Sequence, residues 1–225
     1  MTRLIDHAIQ LKADRAQETL RPLAGKSVAL VFEKASTRTR LSLEIAVAEL
    51  GGHPVVLTTS GSQMGRGEPI CDTARVLSRM VHAITFRTAG QERLNEMVKF
   101  SSVPVLNALT DEGHPMQLLA DLMTVKQVKG RLEGLKYAWV GDGNNMAASW
   151  IEAAGLLGLE LVLACPNGYD PIRRSLRRQK SSGQRSASCA IRRSRSRMQT
   201  SSTPTCSPRW VRRKSINSAS ATSAE

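Results

Sequence analysis

The fold is decided by two neighbouring stretches, Ser27-Val28-Ala29-Leu30-Val31-Phe32 and Ser36-Thr37-Arg38-Thr39-Arg40. The first is apolar and rich in β-branched residues, which predicts a buried strand. Residues 37–50 have an amphipathic pattern that Gly51 ends, which predicts a helix. Two arginines and three hydroxyl residues thus lie where a helix begins, and its unpaired N–H groups and partial positive charge favour an anion. The alternative is a capped helix whose arginines point into water.

The same alternation of strand and helix patterns continues along residues 1–171. We expect helices over residues 4–21, 37–50, 68–80, 91–100, 114–128 and 146–157, and strands over 27–32, 54–57, 81–86, 103–108, 135–140 and 159–164. Short connections between such elements predict an α/β fold of parallel sheets with helices on both faces. Ligands bind at the carboxyl ends of the strands in folds of this kind.

Polar segments fall at four of these strand ends, namely Ser36–Arg40, Arg87, His114–Gln117 and Gly141–Asn145. Arginine forks and hydroxyl groups bind phosphate oxygens, and His114 and Gln117 could donate to a carbonyl oxygen as charge develops on it. The set favours acyl or carbamoyl transfer with phosphate as the leaving group. Gly141-Asp142-Gly143 is a weak nucleotide-binding signal, and Met146 replaces the last glycine of the dinucleotide motif, so we do not infer NAD.

The net charge of +13 is confined to the C-terminal part of the 225-residue chain. Residues 172–225 hold twelve Arg, two Lys and one acidic residue, so residues 1–171 are neutral overall. This Arg/Ser-rich tail has no sustained periodicity and few apolar residues, which predicts disorder. Binding of nucleic acid or another polyanion through the tail is the less favoured alternative.

Several segments resemble the aspartate/ornithine carbamoyltransferase family. Phe32–Arg40, Asp72–Leu77 and His114–Gln117 are similar to its carbamoyl phosphate motifs, and Ser62–Glu68 and Trp139–Asn145 look like its ornithine branch. The resemblance covers about residues 1–171. It implies a carbamoyl phosphate-binding domain over residues 1–115, a partial ornithine-binding domain over 116–171, and a tail over 172–225.

The resemblance also implies an activity, a set of site residues and partners. The activity is transfer of the carbamoyl group from carbamoyl phosphate to the side-chain amine of L-ornithine, which gives L-citrulline and phosphate in arginine biosynthesis. The implied catalytic residues are Arg87, His114 and Gln117; those that bind carbamoyl phosphate also include Ser36, Thr37, Arg38, Thr39, Gln63, Pro115 and Met116; and Asn145 contacts ornithine. Gln63 reaches the site of a neighbouring subunit in a homotrimer. No metal and no organic cofactor is implied.

The resemblance stops after Pro171, where an Arg/Ser-rich sequence stands in place of the expected second half of the ornithine domain. Our hypothesis is that residues 172–225 are out of frame, which reading the coding DNA in the other two frames tests. An inactive, carbamoyl phosphate-binding fragment or relative is a further alternative. Unpaired cysteines and the lack of a long apolar segment predict a cytoplasmic protein without a membrane span.

Overall fold

The computed structural model of the protein describes residues 1–17, 21–171 and the backbone of 190–193. The chain divides into two compact units, Met1–Ser194 and Arg195–Glu225, and the second lies outside the described residues. The predicted disorder of the tail therefore also concerns residues outside the described part, apart from 190–193.

The chain begins with helix α1 (Thr2–Ala13) and a 3-10 turn over Asp14–Gln17. The expected helix over residues 4–21 is therefore too long. Asp14, Arg15 and Gln17 offer no large apolar side chain for the core, so the α-helix gains nothing by continuing through them.

The first sheet has four parallel strands, and its most buried strand is β1. The strands are β1 (Ser27–Phe32), β2 (His53–Thr58), β3 (Ala83–Arg87) and β4 (Val105–Leu109), in the spatial order β2-β1-β3-β4. Ala29, Leu30 and Val31 are fully buried because both faces of β1 are covered. This is the burial that a continuous apolar run in a parallel sheet predicts.

Three helices cover the two faces of this sheet. Helix α2 (Arg38–Glu49) packs Val47 against Val28 and Leu30 on one face. Helices α3 (Ile70–Ser78) and α4 (Gln91–Phe100) pack against Ala29 and Val31 on the other. Side chains of alternate β1 residues thus enter different cores, which fixes the position of the strand relative to α2 and α4.

The second sheet has the order β5-β6-β7, and its strands are also parallel. Helix α5 (Pro115–Lys129) leads into β5 (Lys136–Val140), which is followed by α6 (Asn145–Leu157) and β6 (Glu160–Cys165). Leu122 of α5 and Ile151 of α6 share one core with Leu161 of β6. Ile5 of α1 is buried in that same core, so the first helix of the chain stabilises the second sheet.

Strand β7 (Ala190–Arg193) differs from the expectation of an unstructured tail. It pairs with β6 in parallel, with Val162 opposite Ala190 and Cys165 opposite Arg193. The edge of β6 presents unpaired backbone groups, and a short segment that supplies the complementary N–H and C=O groups can pair there without a periodic sequence pattern.

Candidate functional site

A cleft of about 780 Å³ opens at the carboxyl ends of the first sheet. Eight of the residues expected at the site line it, namely Ser36, Thr37, Arg38, Thr39, Arg87, His114, Met116 and Gln117. Sequence reasoning missed five other lining residues, Ala35, Ser42, Leu43, Leu109 and Ala120. Helical spacing could have found three of them, because Ser42, Leu43 and Ala120 each lie three or four residues after a predicted site residue on the same helix.

The beginning of α2 forms one wall of the cleft. Thr37 is the N-cap residue and Arg38 is the first helical residue, but the Thr37 side chain makes no capping hydrogen bond. First-turn N–H groups of a helix have no acceptor within the helix, so this wall favours an anion. Arg40 takes no part in the lining of this cleft; it forms an ion pair with Glu44 at 3.6 Å and lines an adjoining cleft.

Arg87, the last residue of β3, provides the second positive charge of the cleft. Its Nη1 donates to Thr39 Oγ1 at 3.4 Å, and its buried Nε has no hydrogen-bond partner. Burial lowers the pKa of the Arg87 guanidinium, although it stays charged. Among the described residues Arg87 belongs to no ion pair, so its charge is available to a ligand anion.

His114 stands at the beginning of α5, where it is the N-cap residue ahead of Pro115. Its Nδ1 accepts from the Gln117 backbone N–H at 3.4 Å, and the His114 backbone N–H donates to Ser149 Oγ at 2.8 Å. Burial, and then the charge of Arg87, lower the pKa of His114, against a smaller opposing effect of Asp121. The imidazole is therefore neutral at pH 7, and the hydrogen bond at Nδ1 assigns the proton to Nε2.

The Gln117 side chain lies one turn into α5. Its Nε2 donates to Asp121 Oδ1 at 2.9 Å. This i,i+4 bond holds the amide along the helix, next to the neutral His114. The cleft thus combines two permanent cations, hydroxyl groups and uncharged donors, a set that suits a phosphate joined to a carbonyl group.

Three of the expected site residues do not line the cleft. Pro115 lines a separate cleft of about 270 Å³. Gln63 lies in a 3-10 turn, Gln63–Arg66, that follows β2. Asn145, the first residue of α6, donates its side-chain N–H to the Thr110 carbonyl at 2.9 Å and so connects α6 to the loop before α5.

Comparison with known proteins identifies the family. Residues 1–127 match the model of the aspartate/ornithine carbamoyltransferase carbamoyl-P binding domain. The chain belongs to the aspartate/ornithine carbamoyltransferase family. A second family model, the Asp/Orn binding domain, matches residues 133–200. The similarity to the carbamoyltransferases therefore continues past Pro171, where we expected it to stop, and it includes β7.

Relatives of this family member are named ornithine carbamoyltransferase. The protein from Geobacter sulfurreducens is 61% identical over 153 residues, which are 68% of this chain and 50% of the relative. The protein from Pelobacter propionicus is 54% identical over 172 residues, 76% of this chain and 56% of the relative. The chain thus spans about half the length of the relatives that it matches.

Solved structures agree with this carbamoyltransferase fold. Ornithine carbamoyltransferase from Pyrococcus furiosus matches with a TM-score of 0.76 at 41% identity, covering 83% of this chain and 60% of its own. The Thermus thermophilus enzyme matches with a TM-score of 0.74 at 43% identity, covering 84% of this chain and 62% of its own. The α/β fold with parallel sheets is therefore confirmed.

The described residues also bear on metal binding and on membrane insertion. Within residues 1–17 and 21–171, no group of three or more His, Cys, Asp or Glu could hold a metal ion. In the same part of the chain, every helix is too short or too polar to cross a membrane.

Proposed function

We propose that the cleft between α2 and α5 binds carbamoyl phosphate and is the carbamoyl-donor half of an ornithine carbamoyltransferase site. The observation that carries the proposal is the convergence of Arg38, Arg87 and the neutral His114 in one cleft. The names of the relatives support ornithine as the acceptor. Carbamoyl transfer to its side-chain amine gives citrulline and phosphate, a step of arginine biosynthesis.

The chemistry requires charge stabilisation at two places. The phosphate group is placed at the beginning of α2, where Ser36, Thr37 and Arg38 stabilise it as it leaves. The carbonyl oxygen is placed toward Arg87 and His114 Nε2–H, which stabilise the negative charge that develops on it. The amine nitrogen attacks the carbamoyl carbon, an N–C bond forms, the C–O bond to phosphate breaks, and the proton lost by the nitrogen passes to the departing phosphate.

The proposal extends to the acceptor substrate and to assembly. We propose a homotrimer in which Gln63, which lies outside the cleft of its own chain, reaches the cleft of a neighbouring subunit. Asn145, which is bonded to Thr110, the residue after the lining residue Leu109, is the proposed contact for ornithine. Cys71 and Cys165 are free thiols, the form that the reducing cytoplasm maintains.

An inactive carbamoyl phosphate-binding protein is the second candidate. The favouring observation is that the carbamoyl-P domain match is contained in residues 1–127, whereas Asn145, the proposed ornithine contact, does not line the cleft. Binding without turnover would support this candidate. Polyanion binding by the tail involves residues outside the described part and stays a prediction.

The experiment is calorimetric titration of the purified chain with carbamoyl phosphate, followed by an assay for citrulline after ornithine is added. We expect Arg87→Gln to weaken carbamoyl phosphate binding about 10- to 100-fold, the size of one lost charge-assisted hydrogen bond. Arg79→Gln removes the same charge from the exposed end of α3 and is expected to change binding less than twofold. Equal effects of the two variants, or no binding by the unmodified chain, would contradict the proposal.

A further inference from the structure

The end of β1 carries a carboxylate that lies close to Arg87 in the backbone but does not pair with it. Glu33 follows Phe32, which is opposite Arg87 in the register of β1 and β3. The Glu33 N–H donates to the Arg87 carbonyl at 2.9 Å. A carboxylate here that paired with the Arg87 guanidinium would neutralise the positive charge that the proposed anion requires.

The structure directs this carboxylate to the opposite face of the sheet. The Glu33 side chain is only 13% exposed, and it accepts hydrogen bonds from Thr88 Oγ1 and from both Nε and Nη2 of Arg93 on α4. The Arg93 Nε bond is 3.0 Å long. Arg87, by contrast, lines the cleft on the α2 face, as the alternation of neighbouring residues along a strand requires.

We propose that Arg93 is a positioning residue for the anion site, because it neutralises Glu33 and holds its carboxylate on the α4 face, away from Arg87. The inference rests on the proposed function and adds to it a residue on α4 that touches no substrate. It explains why the cleft stays cationic although Glu33, a largely buried acid, lies one residue beyond the β1 position opposite Arg87.

The electrostatics of the three groups support this role. Burial is the largest influence on the pKa of Glu33 and raises it, but the hydrogen bonds from Arg93 and Thr88 and the charge of Arg93 together lower it. Glu33 is therefore ionised at neutral pH, with Arg93 as its counter-ion. Without Arg93 the carboxylate would keep only the Thr88 hydroxyl, and its uncompensated charge would oppose any anion bound at Arg87.

The test is a double-mutant cycle with carbamoyl phosphate and inorganic phosphate as the titrated anions, at low ionic strength. We expect Arg93→Gln to weaken binding about tenfold, the effect of one uncompensated charge about 12 Å from the anion in an effective dielectric of about 20. Glu33→Gln, which keeps an acceptor for Thr88, is expected to bind as tightly as the unmodified chain or more tightly. The double variant is expected to return to within about threefold of the unmodified affinity.

The matched control is Arg15→Gln, which breaks a similar two-bond pair with Glu49 (2.9 and 2.6 Å) outside the cleft. It is expected to leave anion binding unchanged. Arg93→Lys keeps the positive charge but loses the paired donors of the guanidinium. If Arg93 acts by neutralising Glu33, this variant should bind the anion almost normally. If Arg93 only supports the local structure, it should lose as much affinity as Arg93→Gln.

The outcomes separate this inference from the proposed function. If Glu33→Gln weakens binding, or the double variant is no better than Arg93→Gln, the neutralising role is wrong while binding by the unmodified chain still supports the cleft. If the unmodified chain binds neither anion, the proposed function fails and the inference fails with it. Should Arg93→Gln not fold, Glu33→Gln alone decides, because only a structural brace predicts weaker binding in that variant.

Discussion

The two sheets of the molecule differ in how their strands are covered. In β1, every residue from Val28 to Phe32 is buried, and separate cores lie on the two faces. In β5 and β6, burial alternates: Tyr137 and Leu161 enter one core, whereas Ala138 and Glu160 on the other face are exposed. The described residues thus cover both faces of the first sheet and one face of the second.

This difference indicates which half of the proposed site has the more firmly packed framework. Parallel sheets are stable when both faces are covered, and the first sheet meets that condition within residues 1–127, which match a whole-domain model of the family. The end of β3 and the beginning of α2 can therefore hold Arg87 and Arg38 in a fixed arrangement. Asn145 begins α6, which packs on the second sheet, and the described residues cover only one face of that sheet. The proposed ornithine contact is therefore held less firmly than the anion site.

The largest expected effect comes from placing the same charge in the two sheets. Ala29→Asp puts a carboxylate into the fully buried β1, and we expect it to cost about 3–5 kcal/mol and to prevent stable folding. Ala138→Asp places the same group on the exposed face of β5 and should change stability by about 0.5 kcal/mol or less. Urea unfolding of both variants provides the measurement. Comparable losses would show that the exposed face of β5 is covered in solution, and the contrast between the sheets would be wrong.

A smaller effect is expected in α1, which packs Ile5 into the core of the second sheet. Ile5 is 1% exposed and packs in that core, so Ile5→Ala should destabilise the fold by about 2–4 kcal/mol. Hydrogen exchange should accelerate in α5, α6 and β5 and remain slow in β1. Leu4→Ala, at a neighbouring position that is 54% exposed, is the control and should leave exchange unchanged. Faster exchange spread evenly over both sheets would mean that they unfold as one unit.

Much of the first sheet and its cleft could be predicted from the sequence, because local patterns determine them. The apolar run of β1 and the hydroxyl and arginine residues around the beginning of α2 lie within fourteen positions of one another. Eight expected site residues meet in the cleft because parallel strands bring their carboxyl ends to one edge. His114 was also predictable as a helix-entry residue, since Pro115 follows it at the first helical position.

The features that were missed depend on contacts between distant segments. Strand β7 forms because β6 offers an open edge, and nothing in residues 190–193 alone indicates a strand. The pairing of Glu33 with Arg93 joins residues sixty positions apart, and no periodic pattern connects them. Whether Gln63 reaches a second subunit depends on a partner chain, which is information that one sequence does not contain.

The smallest expected effect is a pH dependence at His114, whose backbone N–H donates to Ser149 on α6 and so connects the two halves. Its pKa in the folded chain is lowered from 6.5, mainly by burial and then by Arg87. As the pH falls through 6.5, the unfolded chain therefore takes up the proton first, so stability declines until the lower folded-state pKa is passed. His114→Gln should remove this part of the decline, which thermal melting across pH 5–8 would measure.

Added phosphate tests whether the bound anion lies near His114, because a neighbouring anion stabilises the protonated imidazole and raises its pKa. The difference in pH dependence between the unmodified chain and His114→Gln should therefore shrink when phosphate is added. A difference that phosphate leaves unchanged would place His114 outside the anion's reach and would restrict the proposed binding to α2 and Arg87. A difference that disappears would tie the first turn of α5 to the ligand, and with it the junction that carries Asn145.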